Sequence, residues 1–171
     1  MNNLYVKQML NECKEELESI KALLIGFGEG ANPTPYIKKY AVMRASSSIE
    51  TGFKTIIADR VDRDSHKQLK NFVARKIRNS STNPKLEAIE NLLSEFDQEW
   101  RAQFDEKIAL SDKPKLKDSL TNLVRARNSF AHGGTDLLSI DETILYFCSG
   151  CDVLRILDET VHMEVELLVA N

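Results

Sequence analysis

The chain is predicted to be all-α, a bundle of antiparallel helices with some shorter ones added. Apolar residues recur at spacings of three and four along nearly its whole length, and alternating β-branched runs of strand type are absent. Glycine, proline and Asn/Ser/Thr clusters interrupt the pattern where helices would end. At 171 residues, with 42% hydrophobic and 29% charged residues, the chain is expected to form one globular domain over 1–171 with a substantial core.

The first helix is expected from about Asn3 to Ile25, because Leu10, Cys13, Leu17, Ile20 and Leu24 fall on one face and the Gly26-Phe27-Gly28-Glu29-Gly30 stretch supplies a stop. That glycine stretch superficially resembles a phosphate loop, but no strand precedes it and no Lys-Ser/Thr follows, so it reads as a linker. Pro35 suits a first helical turn, and the second helix should continue to about Asp62 and bury Val42, Ala45, Ile49, Phe53 and Ile56. A third, near Ser65 to Arg78, would turn Leu69, Phe72, Val73 and Ile77 inward. The polar loop Asn79-Ser80-Ser81-Thr82-Asn83-Pro84 then resets the chain, with Asn83 as N-cap and Pro84 as first residue of a fourth helix. That helix passes through Ile89, Leu92, Leu93 and Phe96 toward Trp100 and Phe104.

Around Ser111 to Pro114 a further start signal opens a helix whose inward face is Leu116, Leu120, Leu123 and Val124 and which should stop near His132, before Gly133 and Gly134. Ser139-Ile140-Asp141-Glu142 has the spacing of a capping box. The last helix would follow it, burying Ile140, Ile144, Phe147, Cys151, Leu154, Val161, Val165 and Leu168.

Composition removes several functions. No apolar run is long enough for a membrane span and the N-terminus has no export signal, so a cytoplasmic protein with no membrane partner is expected. Three cysteines, an odd number, point to reduced thiols. Cys148-Ser149-Gly150-Cys151 is a C-x-x-C without the two further ligands a zinc site needs or a βαβ context for redox use, so the pair reads as core and no metal or cofactor is expected. The net charge of −3 gives no overall attraction to nucleic acid. Locally, however, Lys54, Arg60, Arg63, Lys67, Lys70, Arg75, Lys76 and Arg78 face only Asp59, Asp62 and Asp64, and such a cluster can steer a polyanion or merely solvate a helix face.

The densest chemistry lies in Arg127-Asn128-Ser129-Phe130-Ala131-His132-Gly133. Arg127 offers several fixed donors and a permanent charge suited to phosphate, and His132 can move protons near neutrality. Together they suit metal-free RNA cleavage, in which a base takes the ribose 2′-hydroxyl proton, an acid protonates the leaving 5′-oxygen, and a cation stabilises charge growing on phosphorus. On a regular helix the two would lie about 140° apart, whereas Asn128 and His132 share a face. They converge only if the helix loosens before Gly133 or a second subunit completes the site, and Asn128 could then hold the histidine tautomer or touch the scissile phosphate. The structural reading of the same pair is that His132 caps the last carbonyls and Arg127 pairs with Asp118 or Asp136.

RNSFAHGG resembles the R-x4-6-H signature of the HEPN superfamily, in which Asn commonly follows the Arg and Gly often follows the His. Together with Tyr40-Ala41-Val42-Met43-Arg44-Ala45-Ser46 in an early long helix and a late helix after the motif, the chain is similar to the bacterial HEPN branch associated with RiboL-PSP proteins. The resemblance implies a compact helical bundle acting as a homodimeric, metal-independent endoribonuclease, often a toxin or antiviral-defence effector with an antitoxin or defence-system partner. It assigns Arg127 to phosphate, Asn128 to an accessory role and His132 to proton transfer, with the dimer supplying two histidines. Related toxins often carry Tyr two positions after the His, where this chain has Gly134, so control by nucleotidylation there is not expected.

RNA contacts are expected from Lys67, Lys70, Arg75, Lys76 and Arg78, and from Arg44, which with Ser47, Ser48 and Thr51 makes a polar face that could line the cleft or, alternatively, reflect close helix packing with a buried ion pair from Arg44 to Glu50 or a similar acid. The rival readings are a non-catalytic module binding RNA, a nucleotide or a protein, and a structural adaptor dimerising through Leu154 and Val161 of its last helix.

Overall fold

A computed structural model describes residues 1–28, 32–63, 65–131 and 138–162, Ala131 by its backbone alone. Among them are seven α-helices and no strand: α1 (Leu4–Phe27), α2 (Thr34–Asp62), α3 (Lys67–Val73), α4 (Leu86–Phe96), α5 (Gln98–Ala109), α6 (Lys113–Ala131) and α7 (Ile140–Val161). A π-helical turn, Ala74–Arg78, continues α3. No described helix is long and apolar enough to cross a membrane.

Helices α1, α2, α6 and α7 form the body. Glu16 meets Tyr40 and Arg44 while Asn3 meets Asp59, so α1 and α2 run antiparallel. Ile49 lies on Gly150 and Leu154 on Gly52, so α2 and α7 run parallel, as a central pair with α1 on one side and α6 on the other. The two glycines permit this approach. A Cβ on Gly52 would stand 2.5 Å from Leu154 Cδ1, and one on Gly150 would stand 2.7 Å from Ile49 Cδ1 and 3.3 Å from Leu120 Cδ2. Phe53, Phe104 and Phe147 are fully buried in the resulting core. The apolar positions expected on α1, α2 and α6 are all buried, and Ile140, Phe147, Leu154 and Val161 of α7 join them. Val165 and Leu168 lie outside the described residues.

Local chemistry sets the ends. Asn3 accepts from the Val6 N–H at 3.0 Å, and Gly28, at φ 80°, donates back to the Leu24 carbonyl at 3.0 Å. Asp112 opens α6 by accepting from the Lys115 N–H at 3.1 Å, and Ser139 and Glu142 make the expected capping box.

Three expectations are corrected. The fourth helix is two helices, because Asp97 leaves helical geometry and its carboxylate accepts from the N–H groups of Glu99 at 2.7 Å and Trp100 at 3.3 Å, starting α5. Helix α4 begins at Leu86 with Lys85 as its cap residue, not at Pro84, because the Asn83 side chain is engaged elsewhere. On α3, Val73 and Ile77 are buried against Ala58, but Leu69 and Phe72 are 42% and 54% exposed. Only the end of that short helix rests on α2, so its first turns have nothing to bury against. A dimer seam through Leu154 and Val161 is also ruled out, since both side chains are fully buried within the bundle.

Candidate functional site

Arg127 lies in the last turns of α6 and points toward α2, where Glu50 receives it. Its Nη1 donates to Glu50 Oε2 at 2.9 Å, and its Nη2 donates to Asn83 Oδ1 at 3.2 Å. The expected partner Asp118 is replaced by Glu50, and Asp136 lies outside the described residues. A sequence reading sees only local acids, whereas Glu50 arrives by packing of α2 on α6.

Glu50 is a hub. Besides Arg127, it accepts from Lys54 one turn later on α2 and, at 3.1 Å, from the Thr82 N–H. Lys54, only 5% exposed, also donates to the Ser80 carbonyl. The 79–85 loop is thus strapped to α2 and α6 at Ser80, Thr82 and Asn83. Burial pushes the Glu50 carboxyl up, but hydrogen bonds from Lys54, the Thr82 N–H and Arg127 outweigh it and hold the group below the usual carboxylate range. One carboxylate therefore serves two cations, and the cluster keeps a net positive charge at the end of α6.

Beside this cluster, Asn128 lines a surface groove with Lys85, Thr121, Val124, Arg125 and Ser129. Phe130, 37% exposed, lies under Lys39 Nζ, 4.8 Å from the ring centroid. Helix α6 is still regular at Ala131, and His132 lies outside the described residues.

The other expected site residues separate. Arg44 faces α1: its Nε donates to Glu16 at 2.7 Å and its Nη1 to Ser48 Oγ at 2.6 Å. The expected ion pair of Arg44 forms, but with Glu16 rather than Glu50, because residues 44 and 50 lie on different faces of α2. Tyr40 and Arg44 together hold Glu16 below the usual carboxylate range. Arg78 pairs with Asp59 at 2.8 Å and Asp62 at 2.7 Å. Lys67, Lys70, Arg75 and Lys76 are exposed, with no carboxylate partner among the described residues.

The cysteines are free thiols, and burial raises all three, Cys151 to about 12. Cys13 Sγ is 3.9 Å from the Arg44 carbonyl. This is the behaviour of core thiols rather than nucleophiles. The sequence reading missed Glu50 as the motif's partner and the whole 79–85 strap. The one local signal was Glu50 and Lys54 at a spacing of four, which places both on one helical face.

The sequence model of the RiboL-PSP-HEPN family matches residues 8–162, most of the chain. No curated protein and no solved structure matches.

Proposed function

The chain belongs to the RiboL-PSP-HEPN family, and on that premise we propose that it is a metal-independent endoribonuclease. The ribose 2′-hydroxyl attacks its own phosphate, leaving a 2′,3′-cyclic phosphate and a free 5′-hydroxyl. Arg127 binds the scissile phosphate, His132 moves protons, and Asn128 supports them. Because base and acid are both needed, two motifs meet in a homodimer and each supplies one histidine. The biological setting is that of a cytoplasmic toxin or antiviral-defence effector held in check by an antitoxin or defence-system partner.

The observation that carries this reading is the sharing of Glu50 between Lys54 and Arg127. A partly buried guanidinium fixed by two side chains is already oriented, and its cluster retains a positive charge. Such preorganised charge is what a phosphorane-like transition state needs. Two of the five Arg127 N–H donors are engaged among the described residues, which leaves donors for a phosphate oxygen.

The test is to incubate purified wild type and His132→Ala with total cellular RNA in excess EDTA and to map fragment ends chemically. Discrete cyclic-phosphate fragments from wild type alone are expected. Intact RNA in both would remove the ribonuclease reading in favour of a binding module. That alternative draws on the same contacts, since an arginine held by Glu50 and Asn83 is also a sound structural strut. Under it, Arg127→Ala would weaken ligand binding or stability while RNA integrity never changed.

A further inference from the structure

We propose that the outer face of α3 and its π-helical turn is a docking surface for single-stranded RNA, with Phe72 as a base-stacking platform and Arg75 and Lys76 as backbone contacts. The proposal rests on RNA being the ligand of the site above, and it specifies which form of RNA and where the strand lies.

Phe72 was expected in the core, yet it is 54% exposed, with Leu69 beside it at 42%. A large aromatic left in water on a short helix is informative when polar groups surround it. Here Phe72 shares a groove with Gln68, Asn71, Arg75 and Lys76. The combination is one ring face for stacking, two amides able to read base edges, and two cations for phosphates. Among the basic residues of this segment, Arg78 is neutralised by Asp59 and Asp62, whereas Arg75 and Lys76 have no carboxylate partner among the described residues. Arg75 and Lys76 thus bring two positive charges, unpaired among the described residues, into the groove beside the ring.

Position connects this face to the candidate site. Lys76 also lines a second groove, floored by Phe53 and Ile77, that reaches Ser80 and Thr82 and has Glu95 on its rim. Those two residues belong to the strap that holds Lys54, Glu50 and Arg127. A strand stacked on Phe72 can follow this groove toward Arg127. The bases of a duplex are already stacked on one another and cannot lie on the ring, so the surface selects unpaired RNA.

The experiment is fluorescence anisotropy with a labelled 2′-O-methyl single strand, which lacks the attacking hydroxyl, and with the same strand annealed to its complement. Phe72→Ala is expected to bind the single strand roughly tenfold more weakly, with Phe72→Trp retaining affinity. Replacing Arg75 and Lys76 by Gln should lower the slope of log affinity against log salt by about 1.4, from two lost phosphate contacts. Circular dichroism of these surface variants should match wild type. Phe72→Ala binding within about twofold of wild type would overturn the proposal, as would a duplex bound as tightly as the single strand. Because the probe cannot be cleaved, the two ideas fail separately. Loss of binding in Phe72→Ala with no wild-type cleavage in EDTA would keep the platform and remove the ribonuclease. Cleavage by wild type with unaltered Phe72→Ala binding would do the reverse.

Discussion

Glu50 faces Lys54 on its own helix, Arg127 across the α2–α6 contact and the Thr82 N–H from the loop, so three elements meet at one carboxylate. Replacing it by Gln leaves Lys54 buried without its counter-charge and loosens the Arg127 fork. We expect Glu50→Gln to cost about 1–3 kcal/mol in urea unfolding, since it strips charge-assisted hydrogen bonds from a mostly buried group. The exposed control Glu87→Gln, which breaks the surface pair with Lys117, should leave the urea midpoint close to that of wild type. The pH dependence follows from the sign of the shift. Glu50 is held below its unfolded value, so its contribution is complete above that value and is lost as pH falls through the folded one. The gap between wild type and Glu50→Gln should therefore be constant near neutrality and close below about pH 4. A gap that is the same at pH 3 as at pH 7 would show that the carboxylate's charge contributes nothing.

At the scale of elements, the helix positions were largely legible because they follow from periodicity and end chemistry, both local. Ser139 and Glu142 marked the start of α7 from their spacing alone, and the stretch from Gly26 to Gly30 marked the end of α1, which closes on Gly28. The misses share one cause. Asp97 could be read as a surface acid inside a long helix or as a cap, and Phe72 as core or surface, and each choice depended on what lay opposite. The glycines are a further case. Gly52 and Gly150 sit inside helices, where alone they cost stability, and only the α2–α7 crossing gives them a purpose. Gly150→Ala should destabilise by about 1–3 kcal/mol, because the new methyl meets Ile49 Cγ1 and Leu120 on two other helices. Both substitutions gain roughly 1 kcal/mol of helix propensity, but Gly52→Ala should cost less, since it presses chiefly on the far end of one flexible side chain, Leu154. Urea midpoints of the two variants check that order, and a Gly52→Ala less stable than Gly150→Ala would contradict it.

For the whole molecule, the bundle places the candidate site on α6 and leaves α7 too deeply buried to offer Leu154 or Val161 to a partner. We expect the wild type to sediment as a homodimer, as a reaction needing two histidines requires. Leu154→Asp should abolish the fold rather than dissociate a folded dimer, because it puts a charge where Gly52 and Leu154 pack. Sedimentation velocity with circular dichroism separates the outcomes, and a folded Leu154→Asp monomer would restore the last helix as an interface.

What the sequence determined by itself was whatever one helix can encode: the all-α class, the buried faces of the long helices, the capping box of α7, and the Arg127-Asn128 and His132 motif with its family resemblance. Side-chain periodicity and backbone capping act within a few residues, so they are written in neighbouring letters. The tertiary structure decided the rest: that Arg127 answers to Glu50, seventy-seven positions away, that Asn83 serves Arg127 instead of a helix start, and that Phe72 faces water. Charge pairing and burial depend on which surfaces packing brings within a few ångströms, and no local spacing specifies that distance.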